Sequence, residues 1–143
     1  MGIWDEIKAS FRHGTSLTRL IFINIGIFLI IKILEMISVL ASSPELATTV
    51  ISYLAVPASV GALATKPWTP VTYMFLHQGF IHLLFNMLWI WWFGKIFLAY
   101  LDQRKMVAVY FLGGIAGGVL YIMFFNLFPG FSDVVNGSTC IGA

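Results

Sequence analysis

Apolar residues run almost unbroken through three stretches of this chain, about 17–40, 82–100 and 106–128. A helix needs roughly 20 apolar residues to cross the hydrocarbon of a bilayer, so each stretch is predicted to be a transmembrane span. The first 16 residues are patterned differently. Ile3, Trp4, Ile7 and Phe11 recur at helical spacing, and Asp5, Glu6, Lys8 and Arg12 occupy other parts of the wheel. That pattern predicts a short helix lying in the membrane interface. Gly14 ends it, and Thr15–Ser16 offers a cap for the span that follows. A secretory leader begins similarly, but its apolar core is about 7–15 residues long. Here the run is longer, contains Lys32 and Glu35, and is followed by further spans, so it reads as a retained anchor.

Residues 41–80 are apolar without being a clean span. Pro57, Gly61, Pro67, Pro70 and Gly79 interrupt any helix of membrane length, and Ser43–Pro44–Glu45 reads as a helix start. Short segments half-sunk in the interface or packed on the bundle are expected there. A hydrophilic turn, Asp102–Gln103–Arg104–Lys105, separates the second and third spans. Within the third, Gly113, Gly114, Gly117 and Gly118 form two overlapping GxxxG pairs, a spacing that lets two helices approach closely. Lys32 and Glu35 lie three residues apart on one face of the first span and can neutralise each other; their expected role is structural.

Composition agrees with the pattern. Hydrophobic residues make up 59% of the 143 and charged residues 10%; a soluble domain has about 25% charged residues, so this chain has too few to cover a water-facing surface. A net charge of +2 gives no reason to expect a nucleic-acid partner. Cys140 is the single cysteine, which excludes an intrachain disulfide and argues against a metal cluster; no metal or cofactor is expected.

The positions of the charges predict the orientation. Lys8, Arg12 and Arg19 precede or open the first span, and Lys95, Arg104 and Lys105 flank the turn after the second, whereas the long connection carries only Lys66 among basic residues. Basic residues stay cytoplasmic, so the N-terminus is expected inside and 41–80 outside. Residues 82–86 and 140–143 then fall at the same, outer side. The run Val134 to Ala143 reads as the start of a fourth span, so the chain is expected to be the N-terminal part of a larger bundle.

His82 and Asn86 are the sharpest chemical feature. Four residues apart on a helix, they share one face, separated by about 6 Å of rise. Polar groups inside a span are costly without partners or water. One reading is an interfacial histidine with an asparagine that joins two helices; the other is a functional pair.

The stretch from Trp68 through His77, His82 and Asn86 to the Trp89, Trp91 and Trp92 cluster resembles the first loop and second helix of rhomboid intramembrane serine proteases of bacterial type. In that family a loop tryptophan precedes a histidine, then H-x-x-x-N, then an aromatic-rich span, then G-x-S at the start of the fourth helix. The terminal Gly142–Ala143 resembles that last motif up to its serine. Thr69–Pro70 stands where many members have arginine after the tryptophan, a departure in the loop. His77 is expected to be a loop or rim residue.

The resemblance implies an all-α integral membrane fold, a rhomboid-like bundle with a six-helix core, of which these residues supply the first three spans and the beginning of the fourth. Residues 1–16 would be a cytoplasmic interfacial segment, and 17–143 the N-terminal part of the membrane domain. The implied activity is serine endopeptidase cleavage of transmembrane protein substrates in the bacterial inner membrane. The nucleophile is a fourth-helix serine and its base a histidine on the sixth helix, a dyad form of the serine–histidine scheme. His82 and Asn86 would be the side-chain donors to the oxyanion, and Gly142 would give the serine turn a small, closely approaching backbone. Lacking nucleophile and base, the 143 residues alone are expected to be inactive. A catalytically inactive relative that binds transmembrane helices is the alternative, and an unrelated transporter piece would leave the Trp68-to-Asn86 pattern to chance.

Overall fold

Three long helices, α2 (Ser16–Leu40), α6 (Phe80–Tyr100) and α7 (Gln103–Leu127), dominate the computed structural model, which describes residues 2–128, 130 and 138–140. Their 25, 21 and 25 residues are apolar enough to cross a membrane, and at 1.5 Å per residue each is about 30 Å long or more. The protein is thus a multi-pass, all-α membrane protein. A shorter helix, α1 (Ile3–His13), precedes them and buries none of its residues.

Local chemistry sets the boundaries. Thr15 caps α2 by accepting from Thr18 N at 3.4 Å. The helix ends in a Schellman motif, with Ser42 at φ 51° and Ser43 N donating to Ser38 O at 2.9 Å. α7 starts earlier than expected: Asp102 Oδ1 accepts from Lys105 N at 2.8 Å, so 103–105 form the first helical turn. Three polar residues in sequence look like a turn, yet an aspartate cap lets a helix begin with them.

The connection folds into short pieces: α3 (Glu45–Leu54), β1 (Val56–Pro57), α4 (Val60–Thr65), α5 (Thr69–Thr72) and one 3₁₀ turn (Tyr73–Phe75). β1 pairs antiparallel with β2 (Thr139–Cys140), in the register Val56↔Cys140 and Pro57↔Thr139. Thr139 and Cys140 are therefore extended, not helical, and no fourth span is formed at these two positions. Residues 134–137 and 141–143, the rest of the expected fourth span, lie outside the described residues.

Packing is distributed around α2. Leu17 and Leu20 meet Met106 near one end of the bundle, Phe28 meets Leu83 and Met87 midway, and Ile31 meets Ala55 and Leu76 toward the connection. A Cβ at Gly94 would come within 2.6 Å of Leu17 Cδ1, so this glycine admits Leu17 against α6. Large apolar side chains such as Leu29, Leu88, Trp92, Leu112 and Leu120 face outward, which is unfavourable in water and ordinary in lipid.

The glycines of α7 correct an expectation. Gly114 and Gly118 are buried, but they receive loop side chains instead of another helix. A Cβ on Gly114 would lie 2.5 Å from Met74 Sδ, and one on Gly118 3.4 Å from the Tyr73 ring. Tyr73 and Met74, each 1% exposed, fill that groove, and the Tyr73 hydroxyl donates to Gly114 O. Small residues create room on a helix face; here the connection occupies it.

Candidate functional site

The path from Trp68 to Phe80 brings three polar side chains together. Pro70 in the first turn of α5 starts a helical piece that continues into the 3₁₀ turn. Leu76 then turns extended, at φ −85° and ψ 127°, and Gly79 (φ −129°, ψ 156°) opens α6. This four-residue non-helical stretch, 76–79, folds His77 back onto the first turns of α6, beside His82 and Asn86.

Several bonds fix that path. Trp68 Nε1 donates to Tyr53 O at 3.0 Å, with its ring 4.8 Å from that of Tyr53. Thr69 Oγ1 donates to Lys66 O at 2.8 Å and Thr72 Oγ1 to Leu54 O at 2.6 Å. From the first span, Lys32 Nζ reaches both Glu35 Oε2 at 2.7 Å and Gln78 O at 2.8 Å. The Lys32–Glu35 pair thus neutralises itself and also ties α2 to the residue following His77.

His77 is 3% exposed, so it is not a rim residue. Its Nδ1 lies 3.3 Å from Phe75 O and its Nε2 3.1 Å from Asn86 Nδ2. A carbonyl only accepts, so Nδ1 is assigned the proton and Nε2 accepts from the Asn86 amide. Burial lowers the imidazole pKa below its ordinary value, the Phe75 carbonyl opposes this, and nearby His82 adds to the lowering; the neutral ring is the one that fits both bonds. His82, one turn before Asn86, is exposed and sets its ring at 60° to that of His77, with centroids 5.3 Å apart.

The outcome for the sequence-predicted residues is mixed. His82 and Asn86 lie together on α6, as their spacing requires, and Gly142 lies outside the described residues. His77 lies in the connecting loop, one of the two places expected for it, but is buried there instead of at the rim. Its signal was a histidine in a short non-helical stretch between Pro70 and Gly79, where the chain has to double back onto the new helix.

Beside His77 is a cavity of about 330 Å³, whose polar lining includes Glu35, Ser52, Gln78 and Thr139. It has room for several waters. Thr139 at its wall puts β2 at the same end of the bundle as the start of α6. Among the described residues no three His, Cys, Asp or Glu side chains converge to hold a metal. Chemically, a fixed primary amide beside an imidazole offers neutral hydrogen-bond donors to a developing anion.

A family model described as Rhomboid domain matches residues 64–141, more than half of the chain. The Rhomboid protease GlpG of Salmonella newport (strain SL254), that of Salmonella heidelberg (strain SL476) and that of Salmonella typhi are each 31% identical to it over 88 residues. The matched stretch covers 61% of this chain and 32% of each relative, so the similarity spans about a third of those proteins. No solved structure matches the chain significantly.

Proposed function

This chain belongs to the rhomboid family, and from that premise we propose that it forms the oxyanion side of an intramembrane serine endopeptidase acting on transmembrane protein substrates. The observation that carries the reading is the His77–Asn86 bond at 3.1 Å beneath an anchored loop. Attack of a serine on a peptide carbonyl places negative charge on the carbonyl oxygen, and catalysis needs donors aimed there beforehand. The Asn86 amide is held by Nε2 of a buried, neutral imidazole, which fixes the plane of both its N–H bonds. His82, exposed on the same face, is the second donor. Gly142 is proposed to lie in the serine turn. The serine nucleophile and the histidine base of the dyad are assigned to no residue of this sequence.

In this reading the loop end of the bundle faces the outer side of a bacterial inner membrane and the N-terminus is cytoplasmic. Lys8, Arg12, Arg19, Arg104 and Lys105 gather at the end opposite the loop, which supports that orientation. The cavity beside His77 admits the hydrolytic water.

The test uses the protein expressed from its intact gene and a transmembrane substrate. Asn86→Ala should lower kcat by about 10²–10³-fold, the usual cost of one oxyanion donor. The melting temperature should change little, because side-chain hydrogen bonds inside a membrane bundle average only about 0.6 kcal/mol. Activity falling only in proportion to lost folded protein would assign Asn86 to packing. Absence of cleavage by the unsubstituted protein would favour a helix-binding role.

A further inference from the structure

Helix α1 leaves its apolar stripe uncovered: Ile3 and Trp4 are 77% and 75% exposed, and Phe11 is 43% exposed. Between this stripe and α2 runs a groove of about 600 Å³. Trp4, Ile7 and Phe11 form one wall and Phe22 and Leu29 the other, with Gly26 in that second wall. The stretch from Phe22 to Leu29 covers about 10 Å along α2, so the groove runs from α1 along the wall of the first span. Its charged members are Lys8 and Arg12.

Two features make this a built site. Arg19 donates through Nε to Phe11 O and through Nη2 to Arg12 O, each at 3.0 Å, which fixes the angle between α1 and α2. Arg19 is thereby committed to backbone, whereas Lys8 and Arg12 pair with no carboxylate among the described residues. Neither acid of α1 lines the groove, and Asp5 accepts from Gly2 N at 3.3 Å. The groove also lies outside residues 64–141, the part matched by the family model.

We propose that this groove binds one anionic phospholipid, its acyl chain lying against Phe22, Gly26 and Leu29 and its phosphate held by Lys8 and Arg12. An apolar trough with two unpaired cations matches the two halves of that molecule. Each basic residue near an anionic headgroup contributes roughly fivefold in affinity. A zwitterionic lipid fills the same trough but presents its own cation to Lys8 and Arg12.

Native mass spectrometry of the purified protein with dioleoyl phosphatidylglycerol and dioleoyl phosphatidylcholine tests this. The unsubstituted protein should retain one phosphatidylglycerol with at least fivefold preference. Lys8→Gln with Arg12→Gln should bring the preference close to one. Gly26→Leu should abolish retention of both lipids without unfolding the protein, since a Cβ at Gly26 meets nothing within 4 Å. Equal retention of the two lipids by the unsubstituted protein would overturn the proposal, as would undiminished phosphatidylglycerol binding in either variant. A lipid-free dimer that dissociates on Gly26→Leu would assign the groove to a second copy instead.

Discussion

At the loop end of the bundle, side chains from several elements are fixed on backbone carbonyls: Trp68 on Tyr53, Thr72 on Leu54, Tyr73 on Gly114, Lys32 on Gln78 and Asn126 on Ala58. At the opposite end the ties are fewer. Ser16 N and Oγ meet Gln103 Oε1 at 2.8 and 3.0 Å, and Arg19 braces α1, while Lys8 and Arg12 have no carboxylate partner among the described residues. In the proposed reading the two ends face different tasks. A backbone carbonyl has a fixed position, so a side chain bonded to it is held in one geometry, which is what donors to a transition state require. Long cationic side chains with no fixed partner can follow mobile headgroups, which is what a lipid-facing end requires.

The sharpest way to break this contrast is the Asn86→Ala substitution, whose expected 10²–10³-fold loss in kcat has no counterpart for Lys8 or Arg12. Next in size is the seat of the loop. Gly114→Leu would drive a side chain into the space of Met74, and such overpacking costs about 1–3 kcal/mol. Because Tyr73 and Met74 carry the path to His77, kcat should fall along with the melting temperature. Gly113→Leu, whose Cβ meets nothing within 4 Å, should leave both nearly unchanged. Equal effects of the two would show that the loop does not depend on that seat.

The smallest effect is the pH response. His77 is held neutral, with its pKa lowered by burial. Its contribution to stability is therefore present above the ordinary imidazole value of about 6.5 and is lost as pH falls through the lowered folded value. The melting temperature should decline below about pH 6.5, and His77→Gln should flatten that decline, since glutamine does not titrate. An acid limb unchanged by the substitution would remove His77 from this role.

The three spans were legible because hydrocarbon thickness imposes a minimum apolar length, and no other feature of the chain mimics it. The spacing of His82 and Asn86 was legible for a similar reason, since helical periodicity fixes which residues share a face. The remaining features depend on partners that periodicity does not reveal. Gly114 and Gly118 announced a groove, but only the fold shows Tyr73 and Met74 in it. Residues 103–105 looked like a turn because polarity is visible in the sequence and the Asp102 cap bond is not. The pairing of Val56–Pro57 with Thr139–Cys140 involves two residues on each side, too few to leave an alternating pattern. His77 reaches Asn86 through the non-helical stretch 76–79, where no helical spacing relates the two positions.

A double-mutant cycle on kcat tests most directly whether His77 acts through Asn86. In the protein expressed from its intact gene, kcat and melting temperature are measured for His77→Ala, Asn86→Ala and the double substitution. If His77 works by holding the Asn86 amide, the double variant should be no slower than Asn86→Ala alone, with all three proteins folded at the assay temperature. A double variant slower by the product of the two single effects would mean that the residues act independently, and the oxyanion-side assignment of this pair would be contradicted.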